Sequence, residues 1–331
     1  MTPADLSRTV VRAVRCAVED GELGAGAAVP ERVVVERTRP GGAGEYASPV
    51  ALQLAKASGR PPAEVAALLA LRLRAVEGIE RVEITGPGFL NFTLRRGADD
   101  LAELVRRLRI RQRYGADAPD PADAPGLDLR ARAVREAVVR ILRAHDGSGE
   151  GVSAAAEPSR VAPVAPADGD VVRRFGRDAA RWAMLATDPE QPPFFDGVLL
   201  VQGEASEFFR VRYAVSRARA LARGGALLGV LPGPLTDVTG LSDGRAPALL
   251  AALADYPLAL EAAAHHRAPE RLARHLVTLA DALLDFQYEV LPMGDEKPSA
   301  AHRSRLAVAE AAGTVLAGGL TLLGVDIPEV V

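Results

Sequence analysis

The chain has 331 residues, 48% of them hydrophobic and only 4% aromatic, which is enough for two cores built mainly of Ala, Leu and Val. Its formal net charge of −3 excludes binding to nucleic acid through the overall field, so any RNA contact must come from local patches. The single cysteine, Cys16, excludes an internal disulfide and fits a reducing, cytoplasmic setting with the thiol buried and inert. The five histidines show no metal-ligand spacing, and no uninterrupted apolar run reaches the ~18 residues of a membrane span, so neither a cofactor nor a membrane is expected.

Residues 1–117 read as an α+β domain. The N-terminal stretch TPADLSRTVVRAVRCAVED is an amphipathic helix, with Thr2 as N-cap, Pro3 at the first helical position and Asp5 completing the capping box. The run ERVVVERT after Pro30 is β-branched and reads as a strand. The segment GGAGEYASPVALQLAKASG passes from a Gly-rich turn into a helix, and a second helix starts at Pro61-Pro62. Strand, Gly-Pro-Gly turn and strand follow in RVEITGPGFLNFTLRR, and ADDLAELVRRLRIRQRYG closes the domain as a helix.

Residues 118–170 are rich in Ala, Pro, Gly, Asp and Glu and read as a partly disordered linker. It holds one helix, at about 128–145, whose Val134, Val138, Ile141 and Leu142 share a side. An isolated helix cannot bury such a face. From Val171 to Val331 the pattern is nearly all helical, punctuated by Pro and Gly, and reads as a bundle. The fold class is therefore an α+β N-terminal domain, joined by a linker to an all-α helical bundle. The charge is uneven: 18 Arg and Lys against 15 Asp and Glu in residues 1–118, but 16 against 19 in 173–331.

Two groups of motifs resemble arginyl-tRNA synthetases. GEYASPVALQLAKASGRPPAEVA and EGIERVEITGPGFLNFTL are similar to the additional N-terminal domain of that family. FFRVRYAVSRARAL, YPLALEAAAHHRAPERLARHLVTLADAL and RLAVAEAAGTVLAGGLTLLGVDIPEVV resemble its anticodon-binding helical bundle, in the family's order. The resemblance implies a catalytic domain between them, with a His-x-Gly-His turn and a Lys-Met-Ser-Lys-Ser type loop to balance the charge of ATP phosphates. Neither motif occurs, and the only lysines are Lys56 and Lys297. In the family's register, Pro125, Gly126, Leu127 and Asp128 stand where the His-x-Gly-His turn would be, and Arg130 and Arg140 keep the family's arginines. On this basis the linker helix is expected to be a remnant of the missing domain; a new linker helix of coincidental pattern is the alternative.

The resemblance also nominates contact residues. Phe89 and Asn91 follow the Gly-Pro-Gly turn, where the family approaches the tRNA elbow. Strand alternation puts both on one face, opposite Leu90 and Phe92, and an exposed pair could stack on a base and bond its edge. Packing is the competing account. Arg210, Arg212, Arg217 and Arg219 lie on an acid-free arginine run. Arg212, Arg219 and Arg223 share one helical face and Arg210 and Arg217 the opposite one, so one face must be partly covered and the other can meet phosphates. The family's Gln-Tyr-Ala-His-Ala-Arg reads Arg212-Tyr213-Ala214-Val215-Ser216-Arg217 here, keeping Tyr213 and Arg217. Arg271 and Arg274 form a further basic cluster. A solvated helix face is the plain alternative for all of these arginines. Leu284-Asp285 replaces the family's aromatic pair, a departure on the surface used near the anticodon.

The expectation is a non-catalytic tRNA-binding or regulatory protein without ATP chemistry. tRNA, specifically tRNA-Arg, is the partner that the resemblance implies. The competing expectation is a protein-interaction module whose bundle binds another protein, such as a synthetase.

Overall fold

The structure is a computed structural model and describes residues 1–24, 28–38, 42–95, 98–111, 127–146, 160–233, 235, 237 and 239–327. Helix α1 (Pro3–Glu19) starts where Thr2 places it. The Thr2 hydroxyl accepts from the Asp5 amide at 3.2 Å while the Asp5 carboxylate accepts from the Thr2 amide at 3.0 Å. Leu6, Val10, Val14 and Ala17 form its fully buried stripe. Cys16 falls off that stripe and is partly exposed, not buried as expected.

Among the described residues, four short strands make one antiparallel sheet in the order β1-β2-β4-β3: β1 (Glu36–Arg37), β2 (Tyr46–Ser48), β3 (Ile79–Thr85) and β4 (Phe89–Leu94). The ERVVVERT stretch gives only the two residues of β1. Val33 and Val35 are buried, but the Val33 carbonyl accepts from the Ser7 hydroxyl at 2.7 Å, which ties this stretch to α1 instead of the sheet. β2, absent from the expectation, follows the Gly-rich turn. Gly44 has φ +69°, and a Cβ there would stand 2.8 Å from the Phe92 carbonyl oxygen, so only glycine lets the turn close on β4. Helices α2 (Val50–Ser58) and α3 (Pro62–Leu73) cover the sheet, burying Val50, Leu54, Val65, Leu69 and Leu73.

Two compact units result, Met1–Asp100 and Leu101–Val331. Helix α4 (Ala98–Arg111), expected to close the first domain, lies in the second unit from Leu101 on, and its Leu104, Val105 and Leu108 belong to that unit's core. The remaining helices are α5 (Leu129–Asp146), α6 (Val171–Phe175), α7 (Arg177–Ala186), α8 (Glu207–Leu227), α9 (Ala246–His266), α10 (Pro269–Phe286) and α11 (Ala300–Leu323). α8, α9, α10 and α11 pack on one another. α9 and α11 are long and apolar enough to cross a membrane by length and composition alone, as core helices of a bundle also are, and the most apolar window of α9 is 50% buried. The most apolar window of α11 is 67% buried inside the bundle. Gly313 lets α11 close on Ala218 of α8, and Gly319 lets it close on Leu276 of α10.

The supposed linker helix is part of this core. α5 packs against α7, α9, α10 and α11, with Ala133, Val134, Ala137, Val138, Val139 and Ile141 buried. Pro125 and Gly126, from the stretch before it, lie outside the described residues.

Candidate nucleic-acid interface

Helix α8 begins at Ser206, whose hydroxyl accepts from the Phe209 amide at 3.3 Å, and buries Phe208, Val211, Ala214, Val215, Ala218 and Leu221. Its arginines divide as the helical wheel requires: Arg210, Arg212, Arg217 and Arg219 are all half-buried and Arg223 is exposed, and Arg210 and Arg217 are the pair hydrogen-bonded to side chains of Asp281 and Gln287. Arg210 donates through Nε to Asp281 Oδ1 of α10 at 2.7 Å and through Nη2 to Oδ2 at 3.3 Å. Arg217 donates to Gln287 Oε1 at 2.6 Å. Both half-buried guanidinium groups are thus already partnered within the bundle, by Asp281 and by Gln287.

The other face is different. The Arg212 guanidinium lies over the Phe208 ring, 5.2 Å from its centroid, and its Nε has no hydrogen-bond partner. The rings of Tyr213 and Phe209 stack at 5.5 Å and 10°. Arg219 is half-buried and Arg223 is exposed on the same side as Arg212. A cation held on an aromatic ring beside a half-exposed tyrosine suits phosphate contact and base stacking. On α10, Arg274 is exposed, while Arg271 stands 3.9 Å from Glu270 with its Nε unpartnered.

In the first unit the Phe89–Asn91 pair is only half as expected. Phe89 is 38% exposed, but Asn91 is 5% exposed. β4 is the central strand, with Asn91 opposite Ala47 of β2 and Glu83 of β3. Its amide donates to the Thr85 hydroxyl at 2.7 Å and holds the hairpin closed. Gly88, with φ +146°, lies where a Cβ would meet the Pro62 carbonyl oxygen at 2.9 Å, so the turn is seated on the start of α3. Phe89 is the exposed residue of the pair.

The sequence did not disclose the role of Arg130. Its side chain is fully buried and donates to six backbone carbonyl oxygens: Met184, Ala162, Pro189, Gln191, Thr187 and Asp188. Carbonyl dipoles solvate the cation, and the nearby Asp188 and Asp128 charges favour it without a direct hydrogen bond to the guanidinium. Burial pushes its pKa below the usual arginine range. Arg181 is a second such tie: it meets Glu136 of α5 at 2.8 Å and donates to the Leu323 carbonyl at the end of α11 at 2.6 Å. Gly324, with φ +68°, ends α11 and leaves room for Arg181, since a Cβ would stand 2.8 Å from its Nε. Near the other end of the bundle a cleft of about 450 Å³ carries Asp243, Glu289 and Glu296 with Arg305, a balance that repels phosphate. Among the described residues, no group of three or more His, Cys, Asp or Glu is placed to hold a metal.

Comparisons with known proteins agree with this division. Residues 6–94 match the arginyl tRNA synthetase N terminal domain, and residues 211–331 match the DALR anticodon binding domain. An arginine–tRNA ligase of Frankia alni is 53% identical over 35% of this chain and 20% of its own length. One of Kineococcus radiotolerans is 54% identical over 28% and 17%. The matched stretches thus span about a fifth of those relatives. The arginyl-tRNA synthetase structure of Thermus thermophilus has the same fold, with a TM-score of 0.59 at 16% identity over 100% of both chains. The chain is a relative of the arginyl-tRNA synthetases that carries their N-terminal domain and their DALR anticodon-binding domain.

Proposed function

We propose that this chain is a non-catalytic tRNA-binding or regulatory protein, whose helical unit meets RNA through the Arg212–Arg219–Arg223 face of α8 and Arg274 of α10. The observation that carries this reading is the match of residues 211–331 to an anticodon binding domain that contains those arginines. Residues 95–210, between the two matched domains, contain neither a His-x-Gly-His turn nor a Lys-rich loop, which supports a chain without amino-acid activation. The described helices of that stretch are built into the bundle, and Arg130, one of the two arginines of the motif register, is engaged by carbonyl oxygens. tRNA-Arg as the particular partner follows from the relatives being arginine–tRNA ligases. The test is to purify the protein at low salt and sequence the RNA that stays bound. Enrichment of tRNA-Arg supports the reading in full. Other tRNAs support tRNA binding without this specificity, and bulk RNA or none removes it.

A further inference from the structure

Between α7 and α8 the segment PPFFDGVLLV, Pro192 to Val201, places its apolar side chains on two sides. Phe195 is 8% exposed and stacks on Phe175 at 5.8 Å, and Leu199 packs against the same core. Asp196 caps the short 3-10 turn that follows, accepting from the Val198 amide at 2.9 Å. With those anchors fixed, Phe194 is 73% exposed, Val198 40%, Leu200 57% and Val201 44%. Four large apolar side chains held outward within eight residues are not scattered surface apolar residues, and a patch of this kind marks a contact surface.

The charges around it decide what it contacts. Every charged residue between Arg181 and Arg210 is an acid: Asp188, Glu190, Asp196, Glu204 and Glu207; Arg174, over the Phe175 ring on which Phe195 stacks, is a cation at the anchored end of the strip. Among the described residues, none of Glu190, Asp196, Glu204 and Glu207 has an ion-pair partner. Such a rim repels phosphate, so neither RNA nor an anionic lipid surface fits. A second copy meeting it face to face brings acid against acid. We propose that the Phe194–Val201 strip is a docking surface for a protein segment with an apolar face flanked by arginine or lysine, most simply a basic amphipathic helix. The strip and its acids contribute nothing to the α8 arginine face, so this surface stands or falls independently of tRNA binding.

The probe is a synthetic amphipathic helix with a leucine face and arginine flanks, beside a twin carrying glutamate flanks, titrated by fluorescence anisotropy against the full chain. The arginine peptide binds, the glutamate twin does not, and rising salt weakens the complex. Phe194→Ser with Leu200→Ser weakens binding at least about tenfold, the loss expected for truncated apolar anchors. Glu190→Lys with Glu207→Lys does the same with the apolar residues intact. All four positions are exposed, so unchanged melting temperatures accompany both variants. No binding of the arginine peptide overturns the proposal, as does equal binding of both peptides or binding that survives both variants. Self-association or adsorption to anionic vesicles that Phe194→Ser with Leu200→Ser abolishes assigns the strip to another occupant and also overturns it.

Discussion

Arg210 of α8 grips Asp281 of α10 with two nitrogens, at 2.7 and 3.3 Å, while Arg212, two residues on, lies over the Phe208 ring with its Nε unpartnered. Two arginines of one run therefore have opposite duties. Arg210→Ala is expected to cost the bundle about 1 kcal/mol, as a half-exposed but bidentate pair would, and to leave the salt dependence of RNA binding unchanged. Chemical denaturation of the variant beside an RNA titration checks both halves.

Arg130 is expected to be irreplaceable by lysine. A guanidinium reaches six carbonyl oxygens from three nitrogens, whereas an ammonium has three donors on one atom. Arg130→Lys leaves several buried carbonyls without a donor and should cost about 3 kcal/mol or more. A melting curve indistinguishable from that of the parent protein contradicts the role given to Arg130.

Glu270 is 4% exposed, its Oε2 has no hydrogen-bond partner, and burial, aided by the Asp188 charge, raises its carboxyl pKa despite Arg271 and Arg274. A raised carboxyl pKa means that the folded state holds the proton more tightly than the unfolded one. The stability this gives is present below the unfolded pKa and is lost as pH rises through the folded one. Glu270→Gln should therefore raise the melting temperature by a few degrees at pH 7 and give no gain near pH 4. A gain at acid pH and none at neutral pH reverses the sign and refutes the assignment.

The hairpin makes a separable pair. Asn91→Ala removes the Thr85 bond and should destabilise the first unit by about 1 kcal/mol. Phe89→Ala should leave stability nearly unchanged and weaken RNA binding by about 1–3 kcal/mol, the loss of one stacked base. Equal effects of the two variants on RNA binding would mean that Phe89 does not touch RNA.

The two layers of organisation were readable in the sequence because they rest on local rules. The Thr2–Asp5 capping box, the helical periods and the Gly-Pro-Gly hairpin are set by neighbouring residues, and the structure has each of them. The division of the α8 arginines into two faces follows from 100° per residue. Which face is tied down depends on Asp281 and Gln287, some seventy residues away. The same limit applies elsewhere. Alternation placed Asn91 opposite the core, but pairing on both sides of β4 and the Thr85 hydroxyl bury it. Composition marked the surroundings of α5 as linker, while its docking depends on α7, α9, α10 and α11. Arg130 carries no local sign of burial, because its partners are carbonyls that any sequence supplies.

A titration of tRNA-Arg at several salt concentrations decides whether the Arg212–Arg219–Arg223 face of α8 meets RNA. Binding should weaken steeply with salt, and Arg212→Glu with Arg219→Glu should lose both binding and slope while circular dichroism still reports a helical fold. Binding of undiminished strength in that variant, or none by the parent protein at low salt, would contradict RNA contact through that face.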